Sequence, residues 1–239
     1  MEARLSSRAV QAMTLHEYPD VEQGSEQWHA LRRGIVTAST VHNLITSKTI
    51  KPASNDNSRA LTLSLVAERI TGYTDPTYQS FDMMRGVMDE PIARDLYSKT
   101  YAPVTETGFM IWEDDETGLR IGYSPDGLVG DDGLIEVKSR RQKTQLSTVL
   151  SGQVPIENMA QLQCGLLVSG RKWIDYCSYS GGMPFWTKRV YADMQWLEAI
   201  VAAVEDFEST AADMVNRYVE STIGLPMTER IEHFADIEV

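Results

Sequence analysis

Apolar positions along the chain switch between two periods, and the switches divide it into elements. "SEQWHALRRG" (25–34) predicts a short helix, with Ser25 to cap it and Gly34 to end it. "TASTVHNLITS" (37–47) predicts a second, polar 48–58 a loop, and "RALTLSLVAERITG" (59–72) a third helix stopped by Gly72. "GVMDEPIARDLYSKTYA" (86–102) predicts another, with Pro91 near its first turn or at a kink. The period then shortens. "VTETGFMIWED", "LRIGYSPDG" and "GLIEVKS" predict three strands joined by turns at "DDETG" and "GDDG". Residues 156–170 return to helical spacing, and "KWIDYCSYS" and "FWTKRVYA" predict a hairpin across "GGMP". Met194, Leu197, Val201, Val204, Phe207, Ala211, Met214, Val215 and Tyr218 recur at steps of three or four, the pattern of a long amphipathic helix. This order implies a single α/β domain with a central mixed β-sheet flanked by helices. Residues 21–220 form the expected domain. Residues 1–20 read as a poorly specified tail and 221–239 as an acidic C-terminal segment.

Composition narrows the function classes. The formal net charge is −12, but residues 191–239 hold eleven acids against two arginines, which is −9 of that total. The first 190 residues are nearly neutral, so a nucleic-acid ligand stays open. The longest apolar runs are too short for a bilayer, and the N-terminus lacks an apolar signal core, which leads us to expect a cytoplasmic protein with no membrane partner. Cys164 and Cys177 show no zinc or redox spacing, and His29 and His42 no metal spacing; all four read as packing or hydrogen-bonded residues.

One constellation carries chemistry. In "SPDGLVGDDGLIEVK" (124–138), Glu136 and Lys138 are two apart on a strand and share a face, while Ile135 and Val137 point into the core. A hairpin turning near 130–133 can bring Asp126 beside Glu136. Adjacent carboxylates repel and raise each other's pKa; a hard divalent cation relieves them. Lys138 fits beside an attacking water, as a stabiliser of hydroxide or as a base, so the set suits metal-assisted phosphodiester hydrolysis. A same-strand Glu–Lys pair also fits a surface salt bridge. The apolar flanks of "LIEVK", and the place of Asp126 at a strand end, favour the metal site.

This stretch resembles the PD-(D/E)XK (restriction-endonuclease-like) nuclease core. With "WHALRRGIVTAS" (28–39), "RGVMDEPIARDLY" (85–97) and "MAQLQCGLLVSG" (159–170), in that order, the chain resembles the lambda exonuclease family, the phage-type alkaline exonucleases that include the YqaJ-like viral recombinases. The resemblance spans about residues 21–190. It implies metal ligation by Asp126, Glu136, the main-chain carbonyl of Val137 and Glu90, with two Mg²⁺ ions per site and Mn²⁺ as a substitute. Lys138 matches the lysine that positions or activates the water. Gln161 matches the glutamine that supports the site, with Gln163 as its competitor. Arg32 matches the arginine that grips a terminal 5′-phosphate, and Ser39 and Ser124 match serines near the phosphates. Arg140, Arg141 and Lys143 follow the motif where a DNA backbone would approach, without matching the family residue by residue. The family implies a homotrimeric ring that threads duplex DNA, digests one strand 5′→3′ to mononucleotides, and leaves a 3′ strand for a single-strand annealing protein. It also implies a phage- or prophage-encoded protein in a bacterial host. The alternatives are a repair or restriction nuclease of the same fold with another polarity, and a non-catalytic DNA clamp.

Overall fold

The computed structural model describes residues 13–76 and 79–231. Its strands form two four-stranded sheets, each mixed. The first has the order β1 (Met13–Tyr18), β5 (Phe109–Asp114), β6 (Arg120–Tyr123), β2 (Val36–Thr37). The second has the order β10 (Trp186–Tyr191), β9 (Trp173–Tyr179), β8 (Gly133–Ser139), β7 (Gly127–Val129). A two-residue pairing of β3 (Ile45–Thr46) with β4 (Lys51–Pro52) stands apart. The helices are α1 (Glu26–Arg32), α2 (Asp56–Thr71), α3 (Phe81–Thr100), α4 (Gln142–Ser151), α5 (Ile156–Ser169) and α6 (Met194–Ser221). The expected α/β mixed-sheet class is therefore present, with the strands shared between two ladders.

Local chemistry explains the helix ends. Ser25 Oγ accepts from the Trp28 amide at the start of α1. Asn55 and Ser58 form a reciprocal capping box on α2, and Gly72 closes it at φ 63°. In the second sheet β8 and β9 run parallel, so α4 and α5 form the crossover between them. Strand β8 is buried on both faces. Ile135 and Val137 pack with Ala93 and Tyr97 of α3 and with Cys177. Leu134 joins the main core of α5, α6 and the first sheet. Both cysteines are buried and free, as expected.

Several expectations need correction. The tail assigned to residues 1–20 contributes β1, paired antiparallel with β5 from Met13 to Tyr18; residues 1–12 and 232–239 lie outside the described residues. The helix expected at 37–47 is instead the end of β2, a 3₁₀ turn at Val41–Asn43, and β3. There Val41, Leu44 and Ile45 all enter the core, and their i, i+3, i+4 spacing imitates one helical face although the chain makes only a short 3₁₀ turn. Of the two places expected for Pro91, the first turn of α3 or a kink, it is not in the first turn. It lies mid-helix, leaving the Val87 carbonyl without its helical amide donor. The strand that pairs with β8 is not "IGY" but the three-residue β7; "IGY" belongs to the other sheet. Helix α4 was not anticipated, because its polar sequence has no apolar period.

Candidate active site

Asp126 sits in the bend between β6 and β7, where the chain passes from one sheet to the other. Its Oδ2 accepts the Val137 amide at 2.6 Å, which ties this bend to the middle of β8. Glu136, on the next β8 position, is 2% exposed. A carboxylate so deep costs several kcal/mol unless it is compensated. Its Oε1 receives Lys138 Nζ at 2.7 Å and Gln161 Nε2 at 2.5 Å. Lys138 Nζ also donates to Gln161 Oε1 at 2.9 Å, closing a three-residue ring. Glu136 Oε2 and the nearby Tyr123 hydroxyl are buried with no hydrogen-bond partner among the described residues. Gly165 of α5 makes room for that tyrosine, since a Cβ there would lie 2.8 Å from its ring.

Glu90 comes from the middle of α3. It pairs with Arg94 at 3.3 Å, one turn on. Arg94 also pairs with Glu106 at 3.1 Å and donates to the Asp126 carbonyl at 3.1 Å. One guanidinium thus fastens the helix acid to the bend that carries Asp126. Sequence reasoning missed Arg94; its spacing of four from Glu90 on a helix was the available signal.

Electrostatics follow from this crowding. Burial, then Glu136 and Glu90, pushes the Asp126 carboxyl well above the usual carboxylate range. Burial also raises Glu90, with Arg94 opposing and Glu136 reinforcing. For Lys138 burial works to lower the pKa, but Glu136 and Asp126 outweigh it and the net shift is upward. The lysine is therefore held as a cation, which favours the role of donor over that of base. Among the described residues no three His, Cys, Asp or Glu side chains close up as a ready-made metal cage, Glu90 being turned to Arg94. Two carboxylates and a carbonyl, completed by water, still suit a hard cation that keeps part of its hydration shell. The unpartnered Glu136 Oε2 and the raised Asp126 are what such an ion would relieve.

A second cluster forms at the end of α1. Arg32 donates to Ser39 Oγ at 3.1 Å and stacks 4.0 Å from the Trp28 ring centroid. Trp28 Nε1 donates to Ser124 Oγ at 3.3 Å, so Arg32, Ser39 and Ser124 share one neighbourhood. Arg32 has no carboxylate within ion-pair distance among the described residues. Burial pushes its pKa down to about 10, with Glu68 opposing. One groove of about 1570 Å³ is lined by Trp28, Arg32 and Thr37 at one part and by Glu90, Arg94 and Pro125, the neighbour of Asp126, at another.

Of the remaining cations, Arg140 and Arg141 are engaged elsewhere. Arg140 donates to the Tyr176 hydroxyl at 2.9 Å and to Asn158 Oδ1 at 2.5 Å. Arg141 forms two hydrogen bonds with Asp82, at 2.9 and 2.8 Å. Lys143 is exposed in the first turn of α4. Gln163, the competitor of Gln161, is fully buried and ties α5 to the link between β10 and α6, donating to the Tyr191 carbonyl and accepting the Asp193 amide.

The model of the YqaJ-like viral recombinase domain matches residues 27–172, which contain every site residue named above from Trp28 to Gln161. The chain belongs to the YqaJ-like viral recombinase family. It is 30% identical to an alkaline exonuclease from Laribacter hongkongensis, LHK-Exo, over 84% of this chain and 100% of that one, with a TM-score of 0.73. LHK-Exo is also known in complex with dAMP, with the same similarity to this chain. A phage-related exonuclease from Haemophilus somnus 129PT shares the fold at 13% identity, over 79% of this chain and 98% of that one, with a TM-score of 0.59. No match is found among the curated proteins. This viral recombinase domain is accordingly a nuclease acting on DNA, and the resemblance to the lambda exonuclease family stands. No described helix is long and apolar enough to cross a membrane.

Proposed function

We propose that this protein is a Mg²⁺-dependent, processive 5′→3′ exonuclease of double-stranded DNA. It releases 5′-mononucleotides and leaves a 3′ strand for an annealing protein, acting as a homotrimeric ring. The observation that carries this reading is the shared groove. Glu90 and Arg94, whose guanidinium donates to the Asp126 carbonyl, line the same groove as Arg32 and Trp28, so a strand end can be gripped at one part while it is cut at the other. The complex of LHK-Exo with dAMP, a mononucleotide, is in keeping with that product.

Asp126, Glu136, the Val137 carbonyl and, once released from Arg94, Glu90 would hold the divalent cations. When bound, these supply Lewis acidity towards the scissile phosphate and relief of the carboxylate crowding. Lys138, kept cationic and aimed by Gln161, donates a hydrogen bond to the attacking water and stabilises the negative charge that develops. Gln161 fixes Glu136 and Lys138 in one geometry, so neither has to reorganise during the reaction. Arg32, backed by Ser39 with Ser124 close by, receives the terminal 5′-phosphate as a planar fork.

The test compares linear with covalently closed circular duplex in Mg²⁺. Degradation confined to the linear form supports the reading. Cutting of the circle at a comparable rate would replace it with an endonuclease.

A further inference from the structure

Outside both clusters, one arrangement has no role in the chemistry described so far. Gly34, two residues after Arg32, is held from both sides by α2. Its amide donates to Glu68 Oε2 at 2.7 Å, and its carbonyl accepts from Arg69 Nε at 2.6 Å. Gly34 has φ 70°, and a Cβ there would stand 2.6 Å from Arg69 Cγ. The turn therefore requires glycine both for its left-handed backbone and for the closeness of the arginine. The remaining nitrogens of Arg69 reach α6, where Nη1 and Nη2 meet the two Glu208 oxygens at 2.7 Å each. Its guanidinium also lies 5.0 Å from the Phe207 ring centroid. The three donors of a single fork thus connect the C-terminal helix to the turn that ends α1.

We infer that Arg69, braced by Glu208, is a positioning residue that sets the placement of Arg32 and so determines discrimination between phosphorylated and unphosphorylated 5′ ends. This rests on the reading of Arg32 as the terminal-phosphate ligand. The link is short, because the Ile35 amide donates to the Arg32 carbonyl at 3.3 Å across the same turn that Glu68 and Arg69 clamp. A bidentate grip on phosphate depends on the angle at which the fork is presented. Loosening the turn therefore costs phosphate recognition more than it costs hydrolysis. An acid on the outer helix, otherwise one more solvated charge, becomes part of a specificity device.

The experiment measures initial rates on matched 5′-phosphate and 5′-hydroxyl duplexes for the full chain and for Arg32→Gln, Arg69→Gln, Arg69→Lys and Glu208→Gln. The readout is the ratio of the two rates. Loss of folded protein slows both substrates alike and leaves this ratio unmoved. We expect Arg32→Gln to collapse the ratio and Arg69→Gln to lower it about fivefold, the size of one lost hydrogen bond. Arg69→Lys, which cannot serve Gly34 and Glu208 together, and Glu208→Gln should fall between. If Arg32→Gln collapses the ratio while Arg69→Gln and Glu208→Gln leave it at the parent value, the positioning role is overturned and the phosphate reading survives. If Arg32→Gln itself leaves the ratio intact, the phosphate reading falls and this inference falls with it. Should Arg69→Gln not fold, Glu208→Gln decides alone: a lowered ratio supports the role and an unchanged one overturns it.

Discussion

The Val137 amide donates to Asp126 Oδ2 at 2.6 Å, so the two halves of the "SPDG…IEVK" motif are fastened together by the backbone of the strand that carries Glu136 and Lys138. An asparagine at 126 can keep this hydrogen bond through its amide oxygen while losing the charge. Asp126→Asn should therefore fold, and metal-free it should be more stable than the parent by about 1 kcal/mol, since a crowded charge is gone. Its nuclease activity should fall on the order of 10³-fold, the several kcal/mol expected of a lost ligand. Denaturant unfolding in EDTA, set beside digestion rates, checks both halves.

The ring of Lys138, Glu136 and Gln161 separates two kinds of contribution. Lys138→Met removes the donor to the water and should cost roughly 10²–10⁴-fold in rate. Gln161→Ala removes only the support and should cost about 10–100-fold. DNA-end binding measured in Ca²⁺ should remain in both, since neither residue belongs to the Arg32 cluster.

Asp126 and Glu90 keep their protons to higher pH in the folded chain than in the unfolded one. Their favourable contribution to the metal-free protein is complete below about pH 4, the unfolded carboxylate range, and is lost as pH rises above it. Cation binding must displace those protons, so apparent Mg²⁺ affinity should rise with pH beyond the ordinary carboxylate range. Thermal unfolding with and without Mg²⁺ from about pH 5 to 8 should show the stabilisation by metal growing with pH.

Tyr97 of α3 donates to Asp175 Oδ2 at 2.6 Å, and Arg189 forks onto the same carboxylate at 2.8 and 2.9 Å. This joint ties the helix that carries Glu90 to β9 and β10. Asp175→Ala leaves the buried Tyr97 hydroxyl without its acceptor and should destabilise the fold by about 2–3 kcal/mol. The midpoint of urea unfolding reads the loss.

What the sequence makes legible depends on how local the signal is. Strand β8 shows itself because Leu134, Ile135 and Val137 are apolar and Glu136 and Lys138 interrupt them with a period of two. Its partner β7 does not, because three residues are too few to display a period, so the hairpin is drawn with "IGY" in its place. Helix α4 hides for a different reason. Its buried positions are Gln145 and Thr148, held by hydrogen bonds rather than by apolar contact, with Gln145 bonded to Ser178 and Pro184. Asp126, Glu136, Lys138 and Gln161 could be picked out by type and order, and the fold brings them together. Arg94 offered only its spacing of four from Glu90, and Glu208 offered nothing, since the contacts to the Asp126 carbonyl and to Arg69 are ones that only the fold brings near. The same holds for Arg140, whose contacts with Tyr176 and Asn158 join β9 to α5.

The most direct measurement uses linear duplex carrying a label at either the 5′-phosphorylated or the 3′ end, digested in Mg²⁺ by the parent protein and by Asp126→Asn and Lys138→Met. The 5′ label should appear at once as mononucleotide with the parent, the 3′ label should stay in a growing single strand, and both variants should be slower by about 10²-fold or more. Release of the 3′ label first, or undiminished digestion by the two variants, would contradict the assignment of this groove as a 5′→3′ exonuclease centre.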